Sequence, residues 1–263
     1  MKRWLLALGL IAVLGVAQAG RRCDEQVPQA DRVAQGLALA ERTARALDAT
    51  GGDVALLARA GQDLRQYRLQ WSHLAFVYRV APSTDDAPGT WRVLHKLNHC
   101  DSDRAGLFRQ GVGDFFLDDP HRFEAAFVVL TPEAASRVRA VLEDPTRLRA
   151  WHERRYSVVS YAWGQRYQQS NQWVVETLAG ALEPQATTRE RAQAWLRLRG
   201  YEPTVLRISA WTRLGGRMSR ANVAFDDHPN SERFSDRIAT VGADSVLRWA
   251  PAAGISGPVL TVR

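Results

Sequence analysis

Apolar and polar positions change their spacing several times along this chain, and each change marks an expected element. Over residues 28–47 the apolar positions Val33, Leu37, Leu39, Ala40, Ala44 and Leu47 recur at roughly helical spacing, and Gly51-Gly52 ends the segment. Residues 53–60 are short and apolar, which leaves strand and helix both open. Residues 71–80 alternate: His73, Ala75, Val77 and Arg79 share one face, and Leu74, Phe76, Tyr78 and Val80 share the other. A polar loop at 82–89 separates this run from a second one at 90–97, with Trp91, Val93, His95 and Leu97 on one side. Together the two runs predict a β-hairpin with a long loop. Residues 98–121, with Gly106, Gly111 and Gly113, are expected to be rich in loop.

The second half follows the same logic. Residues 124–130 predict a strand. Thr131-Pro132-Glu133 is a helix start, with Thr as cap, Pro in the first position and an acid in the first turn, and the helix should run to about Glu143. Residues 156–163 predict another strand. Ser170 is expected to cap a helix from Asn171 to about Leu182, with Pro184 beyond its end, and Thr188 to start a helix that stops at Gly200. Residues 204–208, a basic loop, and a strand at 245–249 complete the pattern. No internal repeat or low-complexity linker interrupts it. The expected fold class is α+β, an antiparallel sheet packed with helices.

The N-terminus changes where this fold should work. Lys2 and Arg3 precede an almost unbroken apolar run from Trp4 to Val16, and Ala17-Gln18-Ala19 has the small-x-small form of a cleavage site. That order predicts a secretory signal peptide over residues 1–19 and an α+β domain over 20–263, periplasmic or secreted. The apolar run is about 13 residues long, short of the roughly 20 that span a bilayer. Arg21 and Arg22 stand before Cys23, where a lipoprotein would carry a small residue. No later segment has the length and apolarity of a transmembrane helix. The formal charge of +7 falls to +5 when Lys2 and Arg3 are removed. The arginines are dispersed among acids, which argues against nucleic acid as a partner. A mildly basic exported protein suits anionic surfaces such as cell-wall polymers or lipid headgroups, although a mixed solvated surface is the ordinary explanation.

Two cysteines remain after Ala19, Cys23 and Cys100. In an oxidising compartment an even count suggests pairing. A Cys23–Cys100 disulfide would close a loop of about eighty residues, for which the chain-entropy estimate is about 4 kcal/mol. The alternative is a free, reactive Cys100.

The chain has no Gly-rich phosphate loop, no G-x-S-x-G elbow, no H-E-x-x-H and no paired C-x-x-C. No cofactor or metal is expected. His95 and His99 are four apart, but on a strand four residues span about 13 Å, too far to share one ion. His95 also lies on an apolar face, as a core histidine does. His121 and His228 sit in Asp-Asp/Pro turn contexts, where side-chain bonds to backbone explain them, with a metal site of Asp226, Asp227 and His228 as the sharper alternative. His152, among charged residues, is expected at the surface.

Two segments carry more. His73 begins an apolar strand, where its ring would be held rigidly yet remain accessible, as a general base requires, or where it would simply bond a loop carbonyl. The polar run Tyr167-Gln168-Gln169-Ser170-Asn171-Gln172-Trp173 enters a helix whose N-terminus offers free N–H groups and positive potential. There Ser170, Asn171 and Gln172 would serve either an oxyanion or nucleophile site, or the helix start alone.

Five stretches together resemble family 2145 of the bacterial domains of unknown function. They are Gly61-Gln62-Asp63-Leu64 with Trp71-Ser72-His73; Trp91 to Asn98 with Cys100; Gly111 to Asp119; Ser170-Asn171-Gln172-Trp173; and Asn222 to Pro229. The resemblance covers nearly all of the chain after Ala19 and implies small exported proteins with no established activity. The order of elements is also similar, more distantly, to circularly permuted papain-like hydrolases, a group that includes lecithin retinol acyltransferase-like proteins and cell-wall amidases. In that group a strand histidine activates a cysteine at a helix N-terminus. His73 matches the histidine, but Asn171 or Gln172 stands where the cysteine belongs, and neither amide replaces a thiolate. Two readings follow. One is a non-catalytic module that binds a cell-envelope polymer or envelope protein through a papain-like cleft, with His73, His95, Asn171 and Gln172 as hydrogen bonders. The other is an amide or ester hydrolase or acyltransferase with His73 as base and Ser170 or Cys100 as nucleophile.

Overall fold

The computed structural model describes residues 29–81, 89–118 and 120–263. Helix α1 (Ala30–Ala49) forms where helical spacing predicts it and buries Leu39, Ala40, Thr43 and Leu47, with Leu37 turned outward. Strand β1 (Val54–Arg59) follows, and all six of its residues are buried. Its lack of alternation therefore has a simple cause, since both of its faces are covered. β2 (His73–Val80) and β3 (Thr90–Asn98) form the expected antiparallel pair, with Val77 opposite Val93. Residues 82–88 of the expected loop between them lie outside the described residues. The stretch expected to be loop-rich holds β4 (Ala105–Gly111) and the short helix α2 (Val112–Phe116). β4 is an edge strand, and its glycines, Arg109 and Gln110 dilute the strand pattern.

β5 (Ala125–Val129) and α3 (Pro132–Leu142) agree with the sequence, and the Thr131 hydroxyl accepts the Ala134 N–H at 3.4 Å as the cap. α4 (Pro145–Ala150) comes next. The strand expected over 156–163 does not form. That stretch is irregular, and its polar groups are met by distant chain: Ser157 Oγ donates to Ala224 O at 2.9 Å, and Tyr161 N donates to Asp227 Oδ2 at 2.8 Å. α5 (Ser170–Leu182) begins one residue earlier than expected, because Gln169, not Ser170, is its cap. α6 (Arg189–Leu198) is capped by Thr188 and ends near Gly200, whose φ of 71° suits glycine. β6 (Thr204–Arg207) is followed by α7 (Ala210–Ser219) in place of the expected basic loop, then by α8 (Asn230–Arg233) and β7 (Arg237–Thr240). The strand expected at 245–249 is instead part of α9 (Ala243–Ala252), because Val246, Leu247, Trp249 and Ala250 bury a helical stripe. β8 (Leu260–Val262) ends the order.

The main sheet has six strands in the order β4-β3-β2-β1-β5-β8, with every neighbouring pair antiparallel. The fold is thus α+β, as the sequence predicts. The two faces of β1 and β2 enter different cores. Leu56, Leu74, Phe76 and Leu94 pack with residues of α3, α5 and α9, and Phe76 meets Trp173 edge-on at 5.8 Å. Ala55, Leu57, Ala75, Val77 and Val93 pack against α1 and α2. A third, smaller cluster of Val159, Leu206, Ile208, Val223, Phe225 and Ile238 holds the β6–β7 pair. Among the described residues, no helix is long and apolar enough to cross a membrane.

Candidate functional site

Strand alternation decides where His73 points. It shares its face with Ala75 and Val77, so its ring lies on the α1/α2 side, 5.8 Å from the Phe115 ring centroid. His95, two strand positions beyond Val93, points the same way. His73 Nε2 lies 2.9 Å from His95 Nδ1, and His95 Nε2 lies 2.7 Å from Gln110 Oε1. Burial, with Arg59 nearby, pushes His95 down to about 4, so at neutral pH it carries one proton. With Gln110 accepting, that proton sits on Nε2, and His95 Nδ1 accepts from His73 Nε2–H. The His73 ring is also held well below the ordinary histidine range, by burial and then by Arg59 and His95. The chain of bonds therefore ends on the lone pair of His73 Nδ1.

Arg59 completes this corner. It is opposite His73 in register, buried, stacked on the Phe115 ring at 4.8 Å, and donates to Phe115 O. Its guanidinium also pairs with Asp118 at 2.5 Å, and that carboxylate is 44% exposed, at the mouth of the corner. His73 and Ser72 are half-buried, with Ser72 Oγ accepting Gly61 N–H at 2.8 Å.

The polar entrance to α5 lies on the other face. Gln169 Oε1 accepts Asn171 N–H at 2.7 Å. Asn171 Oδ1 accepts the Leu74 N–H at 2.8 Å, and its Nδ2 donates to Val241 O at 3.2 Å and Ser72 O at 3.5 Å. Gln172 accepts from Ser160 Oγ at 2.7 Å and donates to the carbonyls of Tyr161 and Ala162, both at 3.2 Å, and to Glu176. Ser170 is buried, close to Tyr156. His73 makes no hydrogen bond with Ser170, Asn171 or Gln172. The structure thus brings His73 and His95 together, and it places the three α5 residues apart from them.

Sequence reasoning missed a buried polar network centred on Glu176. Glu176, within α5, accepts from Arg189 at 2.7 Å, Gln193 at 2.6 Å, Gln168 at 2.5 Å and Gln172 at 3.1 Å. Gln168 Oε1 in turn accepts from Lys96 Nζ at 2.8 Å, and Lys96 also donates to Glu153 O at 2.6 Å. Burial, then Arg189, holds Lys96 well below its ordinary range. His152, expected at the surface, is half-buried and pushed down to about 4 by burial and Lys96. The available signal was Glu176 itself, a carboxylate amid the apolar run Trp173 to Leu182 of α5.

His228 is buried and bonds Val159 O at 2.8 Å, and Asp227 bonds Tyr161 N. No group of three metal-ligating side chains occurs among the described residues. No cysteine among them is free; Cys23 lies outside the described residues.

The class of protein defined by this arrangement is an α+β fold with a histidine pair on one face of its sheet and a sealed polar helix entrance on the other. Residues 46–250 match the family described as an uncharacterized protein conserved in bacteria (DUF2145), and the chain belongs to that family. No curated protein and no solved structure matches the chain.

Proposed function

We propose that this protein is an exported, non-catalytic binding module for a cell-envelope polymer or envelope protein, and that its contact site is the His73 corner. The observation that carries this reading is Asn171. Asn171 or Gln172 falls where the resemblance to papain-like enzymes would call for a thiol, and the Asn171 amide is engaged by backbone on three sides. Ser170 is buried and makes no hydrogen bond with His73, which counts against its replacing that thiol. The expected signal peptide and a Cys23–Cys100 disulfide belong to the same reading. At the corner, His73 offers a neutral acceptor and Asp118 a partly exposed carboxylate, held by Arg59, which suits a polar ligand rich in hydroxyl and amide groups. A sedimentation assay with purified peptidoglycan tests this. The chain should co-sediment, a His73→Ala/Asp118→Ala variant should bind at least about tenfold less, and no muropeptide should be released. Equal binding by the variant would remove the corner from the proposal.

One observation favours a hydrolase instead. The Gln110–His95–His73 chain orients a base through a third group, as nucleophile-activating sites do. Release of muropeptides by the chain, abolished in His73→Ala and detected by mass spectrometry, would establish that reading over the first.

A further inference from the structure

Helix α7 is amphipathic but sits with its apolar side out. Trp211, Leu214 and Met218, at i, i+3 and i+7, form one stripe and are 82%, 50% and 80% exposed. The opposite side faces the protein. There Arg213 donates to Ile208 O and pairs with Asp236 at 2.7 Å, and Gly216 lies over Val223. Packing thus consumes the polar side and leaves the apolar one uncovered, the reverse of a helix that stabilises a core.

The surroundings are cationic. Arg207 and Arg237 stand directly opposite each other in the β6–β7 pair, both exposed, a like-charge register that costs stability unless an anion offsets it. Arg217 on α7 is exposed too. Between the turn at Arg65–Tyr67, β6 and the start of α7 lies an open cavity of about 540 Å³, with Tyr67, Arg68, Arg207 and Thr212 in its lining. Its arginines and hydroxyl fit a phosphate group. An apolar stripe with Trp at one end, flanked by arginines and an open, arginine-lined cavity, has the chemistry of a surface that lies in a membrane interface.

We propose that α7 docks this protein on an anionic phospholipid surface, with Trp211, Leu214 and Met218 entering the headgroup boundary and Arg207 and Arg237 meeting lipid phosphates. The test is flotation of the chain beginning at Gly20, which keeps every described residue and omits the apolar Trp4–Val16 segment. Vesicles of equal parts phosphatidylglycerol and phosphatidylcholine are compared with phosphatidylcholine alone. Binding to the anionic vesicles should be at least about tenfold tighter and should weaken with added salt. Both Trp211→Ser/Met218→Ser and Arg207→Gln/Arg237→Gln should lose about tenfold or more. All four side chains are exposed, and unchanged circular dichroism would show that the variants fold. Failure to float, equal flotation on both vesicle types, or unchanged flotation of both variants would overturn the proposal. So would a dimer, seen without lipid, that the Trp211→Ser/Met218→Ser variant dissolves while vesicles bind neither protein; the stripe would then be a contact between two copies of this chain.

Discussion

The two faces of the central strands handle buried polar groups in opposite ways. On the α5 face, Glu176 accepts from four side chains, and the amides of Gln168, Asn171 and Gln172 are bonded at both ends. On the α1/α2 face, the polar chain is short and linear and stops at His73 Nδ1, while Arg59, opposite His73 in register, pairs with the partly exposed Asp118 carboxylate. A saturated network is structure, because every group in it is already answered by the protein. A chain that ends on an acceptor of a half-buried ring, with no partner among the described residues, has room for something else. On the proposed reading, the polar helix entrance, the more eye-catching of the two in the sequence, serves folding and the histidine pair serves contact.

The largest expected effect lies on the saturated side. Glu176→Ala leaves Arg189 buried without its carboxylate and should cost about 3–5 kcal/mol in urea unfolding; a loss below about 1 kcal/mol would show that the network is not structural. Next comes pH, which acts on the other face. His95 has a folded pKa of about 4 against an ordinary 6.5, so the unfolded chain binds the extra proton between those values. Stability is therefore full above pH 6.5 and falls as pH drops toward 4, by about 3 kcal/mol from His95. His152, depressed by burial and Lys96, adds to the fall in the same window. Unfolding curves at the two ends of this range would measure it, and His95→Gln should flatten the dependence. Gly180→Ala should cost about 1–3 kcal/mol. Its new Cβ would lie 2.1 Å from the Trp151 ring, and that indole is buried with its Nε1–H fixed on Ala186 O at 2.8 Å. The smallest change, Thr188→Ala, removes the cap bond to Arg191 N and should lower the melting temperature in line with about 1 kcal/mol.

How much of this was legible depended on whether local spacing and long-range packing agreed. α1, β2, β3, β5, α3 and α6 carry a face pattern or a cap that the neighbouring residues alone define, and each lies close to its expected place. β4 was hidden because an edge strand with glycines and an arginine lacks the apolar run of a covered one. α9 was mistaken for a strand because a few apolar residues fit either period, and its burial against the α5 side decides between them. The irregular 156–163 stretch shows the same limit, since it is fixed by Ala224 and Asp227, more than sixty residues away. At the site, alternation gave His73 and His95 each a face of its own strand, and the register that sets Val77 opposite Val93 puts the two on one side of the sheet. Alternation did not show that α5 covers the other face, which is the fact that separates His73 from Asn171. The partners in the Glu176 network were beyond reach for a similar reason: they come from β3, the 151–169 stretch and α6.

The comparison of the two faces is tested most directly by measuring peptidoglycan binding and unfolding free energy together for His73→Ala and Gln172→Ala. The account predicts that His73→Ala loses binding while stability changes by about 1 kcal/mol, and that Gln172→Ala loses more stability yet binds as the unaltered chain does when folded. Binding retained in His73→Ala and lost in folded Gln172→Ala would contradict it, and would return the contact site to the α5 entrance.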